Sequence, residues 1–323
     1  MIIRGDGVAA YCCAYLLGKA GFQVDLQPVD RPRLPVILLG DQALALVRDI
    51  FERPQMLADA PRITRRVVVW GPSAKPVDLE HSAVIVSEEM LLDAMRPPLA
   101  SGAAQDLPWT VYAARPLPDP ITEHSFGSRI ASAVPVKLKD SAHPAGCWIE
   151  SLDDGWLFLT PNWLLAVGAP AENLLGRSRM VAAEIDQCGP ARGAFPAYPR
   201  IALPLGAPGW LACGTAAMAF DPICGDGTAH AIREAILASA IIRAVAAGES
   251  IDELLAHYEA RLTAGFRRHL AFCRQFYVSG GTGAFWKSEL EATDRGIEWC
   301  TAALAKHATF RYQLRGLELE AVL

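Results

Sequence analysis

The sequence predicts an α/β protein: parallel strand–helix–strand parts near both ends of residues 1–248, a mainly antiparallel β-sheet region between them, and helices from residue 249 to 323. Three observations lead there. Residues 1–28 run strand, glycine turn, helix, strand; residues 146–168 alternate aromatic and apolar side chains around Asp153-Asp154-Gly155; and from Ala229 the pattern is helical, with a break near Val278–Gly283. Parallel parts separated by an antiparallel run imply a discontinuous first domain interrupted by a second.

The opening "MIIRGDGVAAYCCAYLLGKAGFQVDLQP" reads as a short apolar strand, then Gly5-x-Gly7-x-x-Ala10, a helix to Lys19, a stop at Gly21 and a second strand at Val24–Leu26. In such a unit the first glycine makes the tight turn, the second lets backbone approach a pyrophosphate, and the third small residue lets helix and strand pack. The helix N-terminus then offers unpaired N–H groups and a positive dipole end to phosphate. A dinucleotide is the ligand this predicts. The acid that would hold the ribose is expected at Gln27 or Pro28, and neither is a carboxylate. Either Asp30 reaches back, or Gln27 and backbone hold the sugar.

Residues 82–99 read as a strand followed by an amphipathic helix, and residues 107–120 as proline-rich and extended. Residues 146–168 read as antiparallel strands joined at Asp153-Asp154-Gly155. Strand character returns at residues 200–213 and stops at Gly214. In "FDPICGDGTAHAIREA", residues 220–235, a proline and Gly225-Asp226-Gly227 precede an alanine-rich helix, a second helix N-terminus opened by glycine.

Composition restricts the partners. With 323 residues, 52% of them apolar, the chain can bury a large core. A net charge of −5 without a basic run gives no footprint for nucleic acid or an anionic membrane, so a small molecule is the expected ligand. The eight cysteines form no CxxC pair, and Cys12 and Cys13 are adjacent on a helix, so reduced thiols and a cytoplasmic location are expected. No leader pattern and no membrane-spanning apolar run is visible.

Residues 209–239 resemble the second FAD signature of flavoprotein monooxygenases and tryptophan-halogenase-like proteins, in which a strand runs into Gly-Asp-Ala-Ala, a proline loop and a glycine-rich helix start. Gly5, Gly7 and Ala10 are similar to that family's first signature, "LLGDQALALVRDIF" to its glycine-acidic loop with Asp41, "SFGSR" to its middle turn with Arg129, and "FYVSGGTGAFWKSE" to its C-terminal Tyr and Phe-Trp pair. The resemblance implies a Rossmann-like FAD-binding domain (residues 1–60, 122–145 and 200–248) interleaved with a substrate sheet domain (61–121 and 146–199) and C-terminal helices (249–323). It implies FAD contacts at Gly5, Gly7, Ala10, Asp30, Asp41, Arg129, Gly214, Thr215, Pro222, Gly225, Asp226, Gly227 and Thr228. Gly214 and Thr215 would follow the ribityl chain. The Gly225–Thr228 backbone would lie beside the flavin's pyrimidine edge, where a helix N-terminus favours the reduced anion.

Departures from the pattern are informative. Thr215 replaces the family's aspartate, exchanging a charged acceptor for a neutral hydroxyl and weakening a hydrogen bond by about 1 kcal/mol. With the missing ribose acid, this predicts weak FAD retention. Phe126-Gly127 stands where self-sufficient hydroxylases carry Asp-Gly, which implies an external flavin reductase. Arginines, not a lysine, occupy "TRRVVVW", residues 64–70, and "Trp156-Leu-Phe158-Leu-Thr160-Pro161" only partly echoes the halogenase Trp-x-Trp-x-Ile-Pro stretch, so hydroxylation is expected over halogenation.

His230, three residues past Gly227, is the catalytic candidate, the alternative being an outward-facing helix residue. Trp148, Trp156 and Phe158 alternate along the sheet and form either an aromatic substrate wall or sheet core. His81, His143, His257, His269 and His307 read as solvated or capping, and no metal site is expected. Asp221 reads as a turn cap. The resemblance implies a monooxygenase in which a flavin hydroperoxide hands oxygen to an electron-rich aromatic molecule or a protein-bound aromatic residue, a peptidyl tryptophan being the narrower form. The rivals are a flavin-linked reductase of a prenyl chain and a degenerate flavin fold that binds a partner.

Overall fold

The structure is a computed structural model and describes residues 1–97, 107–306 and 312–322; the end of the 82–99 stretch and His307 lie outside the described residues. Two large sheets organise the chain. The five-stranded sheet has the order Gly206–Ala207 (β15), Trp210–Ala212 (β16), Thr110–Tyr112 (β6), Ile2–Arg4 (β1), Asp25–Gln27 (β2). β16, β6, β1 and β2 are parallel, with Ile3 opposite both Leu26 and Val111. β1 is buried at Ile3 and runs straight into Gly5, whose φ is +126°. A Cβ there would lie 3.1 Å from the Ala114 Cβ and backbone N, so only glycine lets the chain turn this tightly beside β6.

Helix α1, Val8–Lys19, follows at once and buries Val8, Cys12, Cys13 and Leu17; it packs on α6, Gly227–Ala246. Both helices are rich in small and apolar residues, which permits their close approach.

The nine-stranded sheet runs β12 (Ile185–Cys188), β8 (Ile130–Leu138), β11 (Trp163–Gly168), β10 (Gly155–Leu159), β9 (Gly146–Leu152), β4 (Arg62–Val69), β5 (Val77–Val86), β3 (Ile37–Gly40), and β13 (Ala194–Pro196) also pairs with β8. Its pairings are antiparallel except β4 with β9. The turn at Asp153-Asp154 closes β9 onto β10 with Leu152 opposite Gly155. Three short strands, β7 (Thr122–Ser125), β14 (Arg200–Leu203) and β17 (Met218–Ala219), form a separate small sheet.

The remaining helices are α2 (Asp41–Phe51), α3 (Glu88–Met95), α4 (Ala171–Leu175), α5 (Val181–Glu184), α7 (Ile251–Gly280) and α8 (Ala284–Leu304). Ser87 caps α3 by accepting from the Met90 N–H at 3.1 Å. α7 and α8 pair after a turn in which the Trp286 ring lies against Gly280 and Gly281, leaving no space for a side chain at either glycine.

Three expectations need correction. β6 lies within the range read as sheet domain, yet it forms the middle of the five-stranded sheet; a three-residue strand before a proline-rich segment carries too little periodicity to declare its partner. β3 lies within the range read as nucleotide-binding, yet it is the edge strand beyond β5. The C-terminal region also ends in a hairpin rather than a helix, β18 (Tyr312–Arg315) and β19 (Glu318–Ala321), joined by Gly316-Leu317 with Gly316 at φ +58°.

Candidate functional site

A pocket of about 460 Å³ lies between the N-termini of α1 and α6 on one side and a face of the nine-stranded sheet on the other. Gly7 and Asp226 are the N-cap residues of the two helices, and neither helix start is capped by a side chain. Their first-turn N–H groups are therefore free for an anion or a carbonyl, at the positive ends of two helix dipoles.

At α1, a Cβ on Gly7 would stand 3.0 Å from Arg31 Nη2. Arg31 lines the pocket and is held by the buried carboxylate of Glu88, with Nη1 donating to Oε2 at 3.0 Å. Glu88 also accepts from the Leu34 N–H at 2.8 Å. Hydrogen bonding to Glu88 raises the Arg31 pKa despite its partial burial, so the guanidinium stays charged. The expectation for Asp30 is corrected here: Asp30 is exposed and off the pocket, and the next residue, Arg31, reaches back to Gly7. Looking only for an acid after β2 overlooked "RPR", residues 31–33. Asp41 also lies off the pocket. It begins α2 and pairs with Arg62 at 2.7 Å, because β3 carries it to the far edge of the other sheet. Ala10 is buried in the α1 packing, and Gly5 shapes the turn; neither lines the cavity.

At α6, Gly214 has φ +58°, and a Cβ on it would come 2.8 Å from the Ala9 Cβ. Its N–H donates to Glu234 Oε2 at 2.7 Å. Gly227, Thr228, Ala231 and Glu234 share the pocket face of α6, and Thr215, Pro222 and Gly225 line the same cavity. Glu234 is fully buried, and burial pushes its pKa well above the ordinary carboxylate range. Its Oε1 is buried without a hydrogen-bond partner. Sequence reasoning missed Glu234; its trace was an acid two turns inside an apolar helix, seven residues past Gly227.

His230 and Asp226 lie off this face. His230 stacks on Phe220 at 4.0 Å between centroids, and its Nε2 is 3.0 Å from Asp226 Oδ2. The catalytic expectation for His230 is corrected: helical periodicity turns positions 226 and 230 towards α7 while 227, 231 and 234 face the cavity.

Arg129 does not line the cavity either. Its side chain is fully buried beneath it, with Nε donating to Asp221 Oδ2 at 2.7 Å, Nη1 donating to Glu289, and the guanidinium 4.7 Å from the Tyr277 ring centroid. The Tyr277 hydroxyl donates to Asp221 Oδ2 at 2.9 Å, and Asp221 Oδ1 accepts from the Ile223 N–H at 2.9 Å. Burial opposes the Arg129 charge, but Asp221, Tyr277 and Glu289 outweigh it and raise the pKa further. Arg129 thus holds the 221–225 loop through Asp221.

Trp156 and Phe158 line the sheet side of the pocket, but Trp148 does not. Trp148 pairs with Leu159 across the β9–β10 hairpin and packs with Leu157, Leu174 and Val181 on the opposite face. The hairpin turn breaks the alternation that linked the three aromatics in sequence. Arg66 of β4 lines the pocket as well, and its Nη2 donates to His81 Nε2 at 2.9 Å. Burial and Arg66 lower the His81 pKa, which keeps the imidazole neutral and able to accept. No lysine lines this pocket among the described residues.

The histidine reading also changes. His143 caps its own turn, its Nδ1 accepting from the Ala145 N–H at 3.2 Å, but His257 and His269 are buried. His269 and Cys273 are four apart on α7, as Asp226 and His230 are at the start of α6, and the fold brings these pairs together beside Cys224. The Nε2 lone pair of His269 accepts from the Asp221 N–H at 2.9 Å, which engages that nitrogen within the fold.

This architecture is the fold of FAD-dependent hydroxylases and halogenases. No protein-family model and no curated protein matches the chain. Among solved structures it is similar to peptidyl tryptophan dihydroxylase QhpG, essential for tryptophylquinone cofactor biogenesis, with TM-score 0.71 and 16% identity over 99% of this chain and 85% of that one. It is similar to the myxobacterial chondrochloren halogenase CndH, an FAD-dependent halogenase, with TM-score 0.68 and 16% identity over 94% and 90% of the two chains. HpxO of Klebsiella pneumoniae, in complex with FAD and uric acid, matches with TM-score 0.62 and 13% identity over 95% and 96%. Among the described residues, no helix is long and apolar enough to cross a membrane.

Proposed function

We propose that this chain is an FAD-dependent monooxygenase that hydroxylates an electron-rich aromatic group, receiving reduced flavin from a separate reductase. The observation that carries the reading is the convergence of two uncapped helix starts, at Gly7 and Asp226, on one pocket with an aromatic far wall. The residues fit FAD. Gly7 and Gly214 leave backbone bare where side chains would collide, Arg31 brings a fixed cation to the α1 end, and the orphaned Glu234 Oε1 offers a buried polar atom beside Gly214. Arg31 and Glu234 supply polar groups where the sequence lacks the two family acids. FAD, when bound and reduced, supplies the oxygen-activating chemistry. The chain's part is to neutralise phosphate at Gly7 and Arg31, hold the flavin edge with the 225–228 backbone, and exclude water with Trp156 and Phe158.

Among the described residues no lysine lines the pocket, and the arginine there, Arg66, is tied to His81, which favours hydroxylation over halogenation. A protein-bound tryptophan is the substrate suggested by the similarity to QhpG. The test has two stages. FAD titration should quench flavin fluorescence saturably. Reduced FAD, oxygen and indole-bearing compounds or tryptophan peptides should then give products one or two oxygen atoms heavier, with bromide present. A brominated product would replace this reading with halogenation, and no quenching at high micromolar protein would remove the flavoprotein reading.

A further inference from the structure

Cys224 and Cys273 take no part in the proposed oxygen chemistry, yet they are placed for chemistry of their own. Their sulfurs are 3.7 Å apart, although 49 positions separate them in the chain. Cys224 is partly exposed and lines the pocket in the loop between Pro222 and Gly225, whereas Cys273 lies buried on α7. The Cys273 sulfur is 3.2 Å from His269 Nε2, and His269 Nδ1 is 3.7 Å from Asp226 Oδ1. One thiol therefore has access to a small solute, and the second sits behind it.

The chain contains its own control. Cys13 and Cys213 are also in contact, with sulfurs 3.9 Å apart, but both are fully buried and Cys13 lies against the Ala235 carbonyl. Neither Cys13 nor Cys213 lines the pocket. Proximity of sulfurs is common to the two pairs; access belongs to Cys224–Cys273.

We propose that Cys224 and Cys273 form a redox-active dithiol that hydrogen peroxide converts to a disulfide at the edge of the pocket. The Cys224 thiolate attacks one peroxide oxygen, the O–O bond breaks, and the departing hydroxide takes a proton from solvent to become water, leaving a sulfenic acid. The Cys273 sulfur then attacks the Cys224 sulfur, the S–O bond breaks, and the departing hydroxide takes the Cys273 proton and leaves as water. Two thiols and one peroxide give one disulfide and two waters. The sulfurs must close from 3.7 Å to about 2 Å. Gly225, at φ +65° next to Cys224, is a pivot about which the loop can follow. Closure would draw the 222–225 wall of the pocket towards α7. Hydrogen bonding from Cys273 and the proximity of His269 lower the Cys224 pKa to about 6 in spite of burial, which favours Cys224 as the attacking sulfur.

The test uses the purified full chain. After brief exposure to hydrogen peroxide, remaining thiols are alkylated and the digest is mapped by mass spectrometry without reduction. The expected result is a Cys224–Cys273 cross-linked peptide two hydrogens lighter than the free pair, restored by dithiothreitol, with Cys13 and Cys213 still alkylated as free thiols after denaturation. Cys273→Ser should halt the sequence at a Cys224 sulfenic acid that dimedone captures, and Cys224→Ser should yield neither species. Full alkylation of both wild-type cysteines under peroxide that oxidises free glutathione would overturn the proposal. So would stoichiometric zinc on the two sulfurs in the isolated protein, since metal-bound thiolates would not act as a free dithiol. The wild-type mapping decides the question even if a variant fails to fold, and it does not depend on FAD binding.

Discussion

Arg129 Nε and Asp221 Oδ2 are 2.7 Å apart with neither side chain exposed, and this contact ties β8 to the loop that forms one wall of the pocket. Removing one partner of a buried pair leaves the other charge without compensation, typically about 3–5 kcal/mol. Arg129→Leu should therefore lower stability by about that amount in urea unfolding, because Asp221 and Glu289 would both lose their cation. Arg129→Lys should recover only part of it, since an ammonium cannot span both carboxylates in the planar geometry of a guanidinium. Unchanged unfolding midpoints would show that Asp221 is held by other contacts.

The bare backbone at Gly7 gives the sharpest test of the proposed cofactor site. Gly7→Leu should abolish saturable FAD quenching while circular dichroism retains the wild-type spectrum, because the new side chain competes with Arg31 for the same space. Arg31→Ala should weaken FAD binding by roughly tenfold to a hundredfold, the loss of one charge-assisted contact to phosphate. Equal affinity in the Arg31 variant would place the phosphates elsewhere.

Glu234 makes a prediction with a definite sign. Burial raises its folded-state pKa, so between the unfolded value of about 4.3 and the folded one the native chain holds a proton that the unfolded chain has released. Stability from this residue is therefore intact below about pH 4 and falls as pH rises towards the folded pKa. Glu234→Gln removes that dependence, so its stability relative to wild type should rise with pH above about 4. A difference that is flat with pH would mean that the fold does not raise the Glu234 pKa.

Alkylation kinetics should single out Cys224. Its neighbours are Cys273 and His269 on α7, which lower its pKa, and Asp226 before α6, which with burial opposes them; the result is about 6. The iodoacetamide rate at Cys224 should rise through pH 6 and level off by pH 8. The rate at exposed Cys188, whose pKa is raised by desolvation, should still be climbing above pH 9. A Cys224 rate that also climbs above pH 9 would show an ordinary thiol.

Much of the helix side of the pocket was legible because its constraints are local. A tight turn after β1 and a bare helix start at Gly7 follow from neighbouring residues along one short segment, and the same holds at Gly214 and Gly225. The sheet side was less legible. Trp148, Trp156 and Phe158 look equivalent in sequence, but the Asp153-Asp154 turn inverts the facing of β9 against β10, so Trp148 enters the core under α4 and α5 while the other two reach the cavity.

The sequence alone determined that two glycine-opened helices flank an antiparallel sheet, since glycine placement and period-two or period-3.6 patterns act through bonds and near neighbours. Tertiary structure decided which side chains meet. Arg31, not Asp30, returns to Gly7 because Glu88, 57 positions away, is buried where it can hold the guanidinium. Glu234, not His230, faces the cavity because α6 lies against α1 along that stripe. Cys224 meets Cys273 because α7 packs under the 222–225 loop. Such meetings depend on how separate elements bury their apolar faces together, a property of the whole chain that no local pattern contains.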